Sequence, residues 1–497
     1  MAVITQDDIN LLRQSSRTVY ARLDVLNKNF KTIGTLDGTL VSDSYSFDAT
    51  SDVRKTANIT LCVKDSDFEL RNDGRIWFDK YIRLKTGIFN IRKRDTVWYD
   101  IGLFVYMDAG YNYNASTRQL TISLSDLMVL LNGERGGTLS GKATKIVAGS
   151  SIRNAMVQNV TQLGGIQKYR IDDVGKDVPY DLEFSTGSNV QAINTELRDL
   201  YPGWETFFDD DTFVCQRYPT AASDPIILDD SVMHDIVIDE SLNTSFAGVY
   251  NVVEVWGKCN DTDTYSTEVA YSQNVYNITN SAIAELSSNE EYGFKAPAEN
   301  TGGFSVKINS FTAYPVYGEN NEEIAAGRIK KDKSYVVKFK KNGSQSYFYF
   351  EGEYQICGIA KLMSREPTAE EKAADAADSP TTNISYVVEP DTPYGVDQIG
   401  VIRKVCSGGE YSDIYSEDLA LQRAEYELWL ASDMKNEISL EMIEIPWLGV
   451  NQKIEYTPGI TGEKTVYMVK SKSGSTTGGT MTINAVRFQP LYPWLEV

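Results

Sequence analysis

The sequence predicts a mainly β chain with an α+β middle: two β-modules bracketing an α/β domain and a β-rich insertion. Three observations carry this expectation. Apolar–polar alternation fills the first 135 residues and returns in the last hundred. Helical apolar spacing is confined to two stretches between 145 and 235 and to one after Ser416. Gly, Asn and Asp punctuate the short apolar runs, as turns between strands require. The chain has 497 residues, 42% hydrophobic and 24% charged, enough for several cores.

The first module spans 1–135. TVYARLDVL (18–26) sets Val19, Ala21, Leu23 and Val25 against Tyr20, Arg22 and Asp24. ANITLCV (57–63) sets Ile59, Leu61 and Val63 against Asn58 and Thr60. Side chains alternate across a strand, so each run predicts one buried face. IWFDKYIRLKTGI, WYDIGLFVYMDAG and RQLTISLS continue the series. A short helix, SDLMVLLNG, closes the module, with Ser125 as N-cap and Gly133 as stop.

The middle domain spans 136–235. GSSIRNAMVQNVTQLGG predicts a helix capped by Ser150 or Ser151, with Ile152, Met156, Val157 and Val160 along one face. SNVQAINTELRDLYPG predicts a second, through Val190, Ile193, Leu197 and Leu200. WETFFDDDTFVCQRYP reads as a hairpin turning at Asp209-Asp210-Asp211.

The second module is assigned to 236–259 and 388–497, with the strong strand GVYNVVEVWGKC (248–259) included. Its helix is capped by Ser416, carries Glu417 and Asp418 in the first turn, and aligns Leu421, Ala424 and Leu428. The strand SLEMIEI stops at Pro446, which cannot donate to a ladder. KIEYT, VYMVKSKS and TMTINAVRF return as a meander. Residues 260–387 form the insertion, with a hairpin turn at Asn342-Gly343. Within it SREPTAEEKAADAADSP (364–380) lacks apolar periodicity and reads as a mobile acidic and Ala-rich linker, at most briefly helical.

The chemistry-bearing residues are sparse. GGTLSGKAT (136–144) imitates a phosphate loop through Gly136, Gly141 and Lys142, but Ala143 stands where a hydroxyl is needed, with Thr144 next to it. It follows a helix end rather than a strand, so an inter-domain loop is expected. His234 is the only histidine, which excludes paired-histidine zinc motifs; a solvated residue at a strand entrance is expected. Asp209, Asp210 and Asp211 lack the spaced ligands of a calcium loop. Cys62, Cys215, Cys259, Cys357 and Cys406 are scattered and odd in number, so free thiols are expected. The net charge of −21 argues against wrapping nucleic acid. No apolar run reaches the length of a membrane span, and MAVITQDDINLLRQ has no signal-peptide pattern. No catalytic residue, metal site or cofactor is assigned.

LALQRAEYELWLASDM, LEMIEIPWLGVNQKIEYT, YMVKSKS and GTMTINAVRFQPLYP follow one another near the end of the chain. GSSIRNAMVQNV, VPYDLEFSTGSNVQAINTELRDLYPGWETFFDDDTFVCQ and NVVEVWGK precede them. In these segments, across roughly 140–497, the chain resembles the baseplate hub, or tail-associated structural protein, of tailed phages and prophages of Gram-positive bacteria. The family pattern reads Pro-Trp-Leu-Asp-Val-Asn; here Gly449 stands in place of the Asp.

Such proteins are similar to the trimeric hub of contractile tails. The resemblance implies that both β-modules are barrels like the tail-tube protein. It implies a homotrimer forming a pseudo-hexameric ring that joins the sixfold tube to a threefold tip or spike and continues the DNA channel. Expected partners are a tail-tube or distal tail protein above, tip, spike or fibre proteins below, and a tape-measure protein in the lumen. The expected location is the virion tail, after synthesis in the host cytoplasm. DNA would pass without specific binding during ejection, kept from sticking by the acidic charge, and no stable membrane insertion is expected. Two other functions stay open on the residues alone. A cell-wall hydrolase would need a carboxylate pair, such as Glu441 with Glu444 or Glu351 with Glu353. A glycan- or receptor-binding protein would use the Tyr- and Asn-rich insertion.

Overall fold

In the computed structural model the N-terminal alternation becomes strands. Residues 5–491 are described, apart from 15, 36–39, 63–69, 114–117, 142–143, 174, 180, 202, 260–263, 319–320, 343–344, 380, 382 and 415. Helix α1 (Gln6–Leu12) leads into β1 (Val19–Leu26), β2 (Thr32–Thr35), β3 (Leu40–Asp48), β4 (Lys55–Cys62), β5 (Tyr81–Asn90), β6 (Asp95–Tyr113) and β7 (Arg118–Ser125). The inward phase holds as expected: Leu23, Val25, Ile59, Leu61, Leu84 and Ile122 share one core. Val63 lies outside the described residues. Asp24, expected on the polar face, is only 3% exposed. The end of β1 is covered on both faces, because Leu26 enters a second core with the helices that follow. Asp24 is held there by Arg22 and Lys85.

Leu127–Leu130 form a 3-10 turn capped by Asp126, which accepts from the Met128 N–H. The expected cap, Ser125, is instead the last residue of β7, paired with Thr56 and Val105. Gly133 takes the left-handed backbone (φ 97°) that ends the turn. The middle follows: β8 (Thr144–Ile146), α2 (Ile152–Gln158), β9 (Tyr169–Ile171), β10 (Leu182–Phe184), α3 (Val190–Asp199), β11 (Trp204–Asp209) and β12 (Thr212–Arg217). Ser151 caps α2, and Ile152, Met156 and Val160 are buried with Val190, Ile193 and Leu197 of α3; Val157 and Leu200 pack at the margin.

Next come β13 (Ile226–Leu228), α4 (Asp230–Ile236) and β14 (Val237–Ser245). The chain then builds β15 (Val252–Cys259), β16 (Val269–Ser272), β17 (Val275–Ile278), β18 (Glu291–Lys295), β19 (Ser305–Ile308), β20 (Tyr314–Tyr317), β21 (Ser334–Asn342), β22 (Gln345–Glu353) and β23 (Gln355–Met363). After these stand α5 (Ala369–Asp378), β24 (Ile384–Val388), α6 (Val396–Ile399), β25 (Arg403–Ser407) and α7 (Glu417–Ala431). It closes with β26 (Lys435–Ile443), β27 (Lys453–Tyr456), β28 (Thr465–Gly474) and β29 (Thr480–Arg487).

Two units result. The first takes the chain up to Ser245 together with Lys435–Leu491. Its main sheet runs β14-β26-β29-β28-β3-β4-β7-β6-β5-β1-β2, with β27 and β13 joined at β28. This corrects the barrel expectation: among the described residues the path is open. The physical reason is that β3 pairs β28 through Tyr45–Asp48 and Gly474–Ser471, spending the edge a closed barrel would pair within itself. Both β-halves therefore share one sheet, each with its own core.

The second unit is Phe246–Met434. One sheet runs β24-β23-β15-β25, and α7 packs on β15, β23 and β24. The expected second module is thus divided. The meander and β14 lie in the first unit, while GVYNVVEVWGKC and the helix after Ser416 lie here. The run Val252, Val253, Val255 is buried, so β15 needs cover on both faces, and α7 supplies one of them. Ser416 caps α7 as expected; Ala420, Ala424 and Leu428 are buried, with Leu421 at the margin. The insertion forms a seven-stranded sheet, β16-β17-β19-β20-β22-β21-β18, over a core of Tyr276, Tyr292, Phe294, Tyr335 and Phe348. In its hairpin Asn342 pairs with Gln345; Gly343 lies outside the described residues. The segment 364–380, expected to be a linker, carries helix α5. Thr368 and Glu371 close a capping box, a local signal strong enough to start a helix without apolar periodicity.

Gly358 on β23 sets the spacing to α7. A Cβ there would lie 2.4 Å from the backbone of Ala420 and Leu421. Gly358→Ala should destabilise the second unit by about 1–3 kcal/mol, an overpacking cost, seen as an earlier urea transition. Gly302→Ala, whose nearest neighbour would be 3.9 Å away, is the neutral control.

Candidate functional site

The phosphate-loop lookalike is a helix clamp. Gly137 (φ 80°) presses on Leu131 so closely that a Cβ would meet its carbonyl oxygen at 2.4 Å. The Val190 N–H donates to Gly137 O (2.9 Å) and the Gln191 N–H to Leu131 O (3.0 Å). The first N–H groups of α3, which a phosphate would need, are already bonded. Thr144 opens a strand rather than a helix. Lys142 and Ala143 lie outside the described residues.

The other candidates disperse. His234 sits in the last turn of α4, half exposed, 3.6 Å from Asp230. Asp210 takes Arg83 as a partner and Asp211 takes Lys168, so two of the three aspartates are ion-paired within the fold. No cluster of three or more potential metal ligands occurs among the described residues. Glu441 is exposed on β26, whereas Glu444 is fully buried. Glu351 is tied to Lys338, and Glu353 is buried near Arg328 and Lys333. None of the five cysteines forms a disulfide. Burial pushes the Cys215 thiol up to about 12, so it stays protonated.

What the first unit does concentrate is buried charge at its seam. Lys472 is 0% exposed. Its ammonium donates to Ile445 O (2.8 Å), Pro446 O (3.3 Å) and Leu448 O (3.2 Å). All three N–H groups are thereby spent on the turn that follows β26. Rings of Tyr45 and Phe47 flank the cation at 5.3 and 5.4 Å. Glu444, also 0% exposed, accepts from Tyr45 Oη (3.0 Å), and Arg17 donates to its backbone oxygen (2.6 Å). Gly474 makes room, since a Cβ would lie 2.8 Å from Tyr45 Oη. Asp43 completes the seam by accepting from the Thr476 N–H (2.8 Å).

Two more clamps repeat the device. Lys453, 1% exposed, donates to Ala221 O, Ala222 O and Asp224 O at 2.9–3.2 Å. Glu205 receives Arg54 (2.9 Å), Asn451 (2.7 Å) and Gln216 (2.9 Å), while Lys470 donates to Asn451 (3.1 Å). Sequence reasoning missed Lys453, Lys472, Arg54 and Glu205. The available signal was a lysine on the inward phase of a strand; for Lys472 that phase is set by a bulge between Val469 and Ser471. Lys472 and Lys453 spend their donors on backbone carbonyls, whereas Arg17 Nε and Nη1, Arg54 Nε and Glu444 Oε2 are buried with no hydrogen-bond partner among the described residues.

A family described as Domain of unknown function (DUF5048) matches residues 391–492. No curated protein sequence matches. Solved structures with a similar course include the tail protein from Neisseria meningitidis MC58, 8% identical, TM-score 0.45, covering 95% of this chain and 98% of that one. The 43 kDa tail protein of prophage MuSo2 from Shewanella oneidensis is 10% identical, TM-score 0.47, covering 95% and 98%. A prophage tail protein from Listeria monocytogenes EGD-e is 8% identical, TM-score 0.44, covering 93% and 94%. At such scores the likeness transfers no residue role.

Lys472→Met removes the donor of three buried carbonyls and the cation that opposes the buried Glu444 charge, so it should cost about 3–5 kcal/mol by urea denaturation. Glu444→Gln should cost less. The double variant should lose less than the sum, by about 1–3 kcal/mol; strict additivity would uncouple the two residues.

Burial lowers the Lys472 ammonium to about 8, with Glu444 opposing the shift. An unfolded lysine titrates near 10.4. Between these values the unfolded chain binds more protons at this position, so its contribution to stability rises with pH. The stability difference between wild type and Lys472→Met should therefore grow from pH 8 towards 10.4; a flat difference would contradict the assignment.

Proposed function

We propose that this chain is a structural hub of a phage tail tip or baseplate: a homotrimer whose pseudo-hexameric ring joins the tail tube to the tip and continues the DNA channel. The observation that carries the reading is the continuous sheet in which the two β-halves are joined at β3 and β28 through a buried charged seam. A ring subunit with two tube-like halves must hold them in fixed register under load. Opening this seam would break the Tyr45–Glu444 and Asp43–Thr476 hydrogen bonds and expose the apolar strand faces around them, which is costly.

Two further features support it. The C-terminal segment that resembles the hub family, LEMIEIPWLGVNQKIEYT with YMVKSKS, supplies one side of the seam, Glu444 with the 445–448 turn and Lys472, and Tyr45 and Asp43 on β3 supply the other. Strands β14 and β2 end the sheet, each paired on one side among the described residues. Open edges of this kind need cover, and a cyclic, heterologous assembly provides it. The net charge of −21 suits a conduit that must not retain DNA. In this reading the molecule acts by geometry and has no catalytic centre; it sits in the virion tail between tube or distal tail proteins and tip proteins.

Single-particle imaging of the purified chain at high concentration, together with sedimentation, checks this. The expected outcome is a threefold ring with an axial channel. A monomer at every concentration, also absent from the axis of the virion tail, would overturn it.

A further inference from the structure

A depression on the second unit, about 290 Å³ in volume, combines donors and acceptors that the fold leaves unspent. That size lies at the small end of ligand pockets. Arg328 lines it, lying over the Phe350 ring (5.4 Å) and donating one Nη2–H to Glu417 (2.6 Å). Stacking and ion pairing hold the guanidinium in one plane, and a guanidinium carries five N–H donors in all. Glu322 and Glu323 line the same depression, and neither carboxylate has a hydrogen bond or ion pair among the described residues. Gly303 leaves space for one of them: a Cβ there would lie 2.9 Å from Glu323 Oε2. Ile324 and Ala325 add an apolar patch.

We infer that this depression binds one amino-sugar residue of a glycan. The charges select the ligand class. Glu417 compensates Arg328, whereas Glu322 and Glu323 are uncompensated, so an anion is disfavoured and an ammonium is favoured. A simple amine would leave the donors of Arg328 and the apolar patch unused. A sugar ring bearing an amine uses all three: ammonium to the carboxylates, ring hydroxyls to the guanidinium, and its C–H face to Ile324 and Ala325. Tyr317, the last residue of β20, precedes the lining residue Gly318 and packs on Tyr347 (5.8 Å), so aromatic surface borders the site in the chain. The inference concerns the second unit alone and stands whether or not the chain forms a ring.

The test is saturation-transfer NMR on the full chain with glucosamine, glucose and methylammonium as separate probes. Glucosamine should give saturation transfer, glucose a weaker signal, and methylammonium none. Glu322→Gln with Glu323→Gln should weaken glucosamine at least about fivefold, the loss of a charge-assisted hydrogen bond. An unchanged thermal melt would show that this variant is folded. Three outcomes overturn the inference: no transfer to glucosamine, transfer that the double variant leaves intact, or methylammonium binding as well as glucosamine.

Discussion

A lysine ammonium buried against three backbone carbonyls is the constraint on which the first unit depends. Lys472 is fully buried, so its charge is tolerable only where each N–H finds an oxygen. Ile445, Pro446 and Leu448 supply those oxygens, which fixes the turn after β26 relative to β28. The same strand continues into the ladder with β3, and Tyr45 on β3 reaches back to Glu444. One cation thereby sets the register of two strands and one turn. Apolar packing could bury the same volume, but it would not specify register as sharply.

The second unit solves its packing with shape instead of charge. Gly358 lets α7 approach β23, and Gly257 lets the Ile414 carbonyl approach β15, where a Cβ would meet it at 2.2 Å. In the insertion, tilted and edge-on aromatic pairs such as Tyr276–Phe304 and Tyr292–Phe348 fill the core. These pairs account for most of the Tyr-rich composition that also suggested a sugar-binding surface. The residues that carry unspent chemistry, Glu322, Glu323 and Arg328, lie at the margin of that core and were not marked by any motif.

The chemistry-bearing residues noticed in the sequence are largely consumed by structure. The glycine loop at 136–141 gives the Gly137 carbonyl to α3, the triple-Asp turn is held by Arg83 and Lys168, and Glu444 is a seam residue. Each looked like a site because catalysis and folding draw on the same polar groups. What separates them is whether the group stays open to a ligand once the chain has folded.

Strand phase, helix faces and most caps were determined by the sequence alone, because they depend on neighbours within one or two turns. Leu23 with Val25, Ile59 with Leu61, and Ser151 and Ser416 as caps are cases of this kind. The Thr368 capping box was equally local, and its signal outweighed the missing periodicity at 364–380. Tertiary structure alone decided which strands share a sheet. β15 pairs with β23 and β25 in one unit while β14 pairs with β26 in the other, and β3 pairs with β28 instead of closing a barrel. Those choices join residues hundreds of positions apart, where alternation is the same for every candidate partner. At the β3–β28 junction the buried charges Lys472 and Glu444 become recognisable as neighbours only once the chain has brought them together.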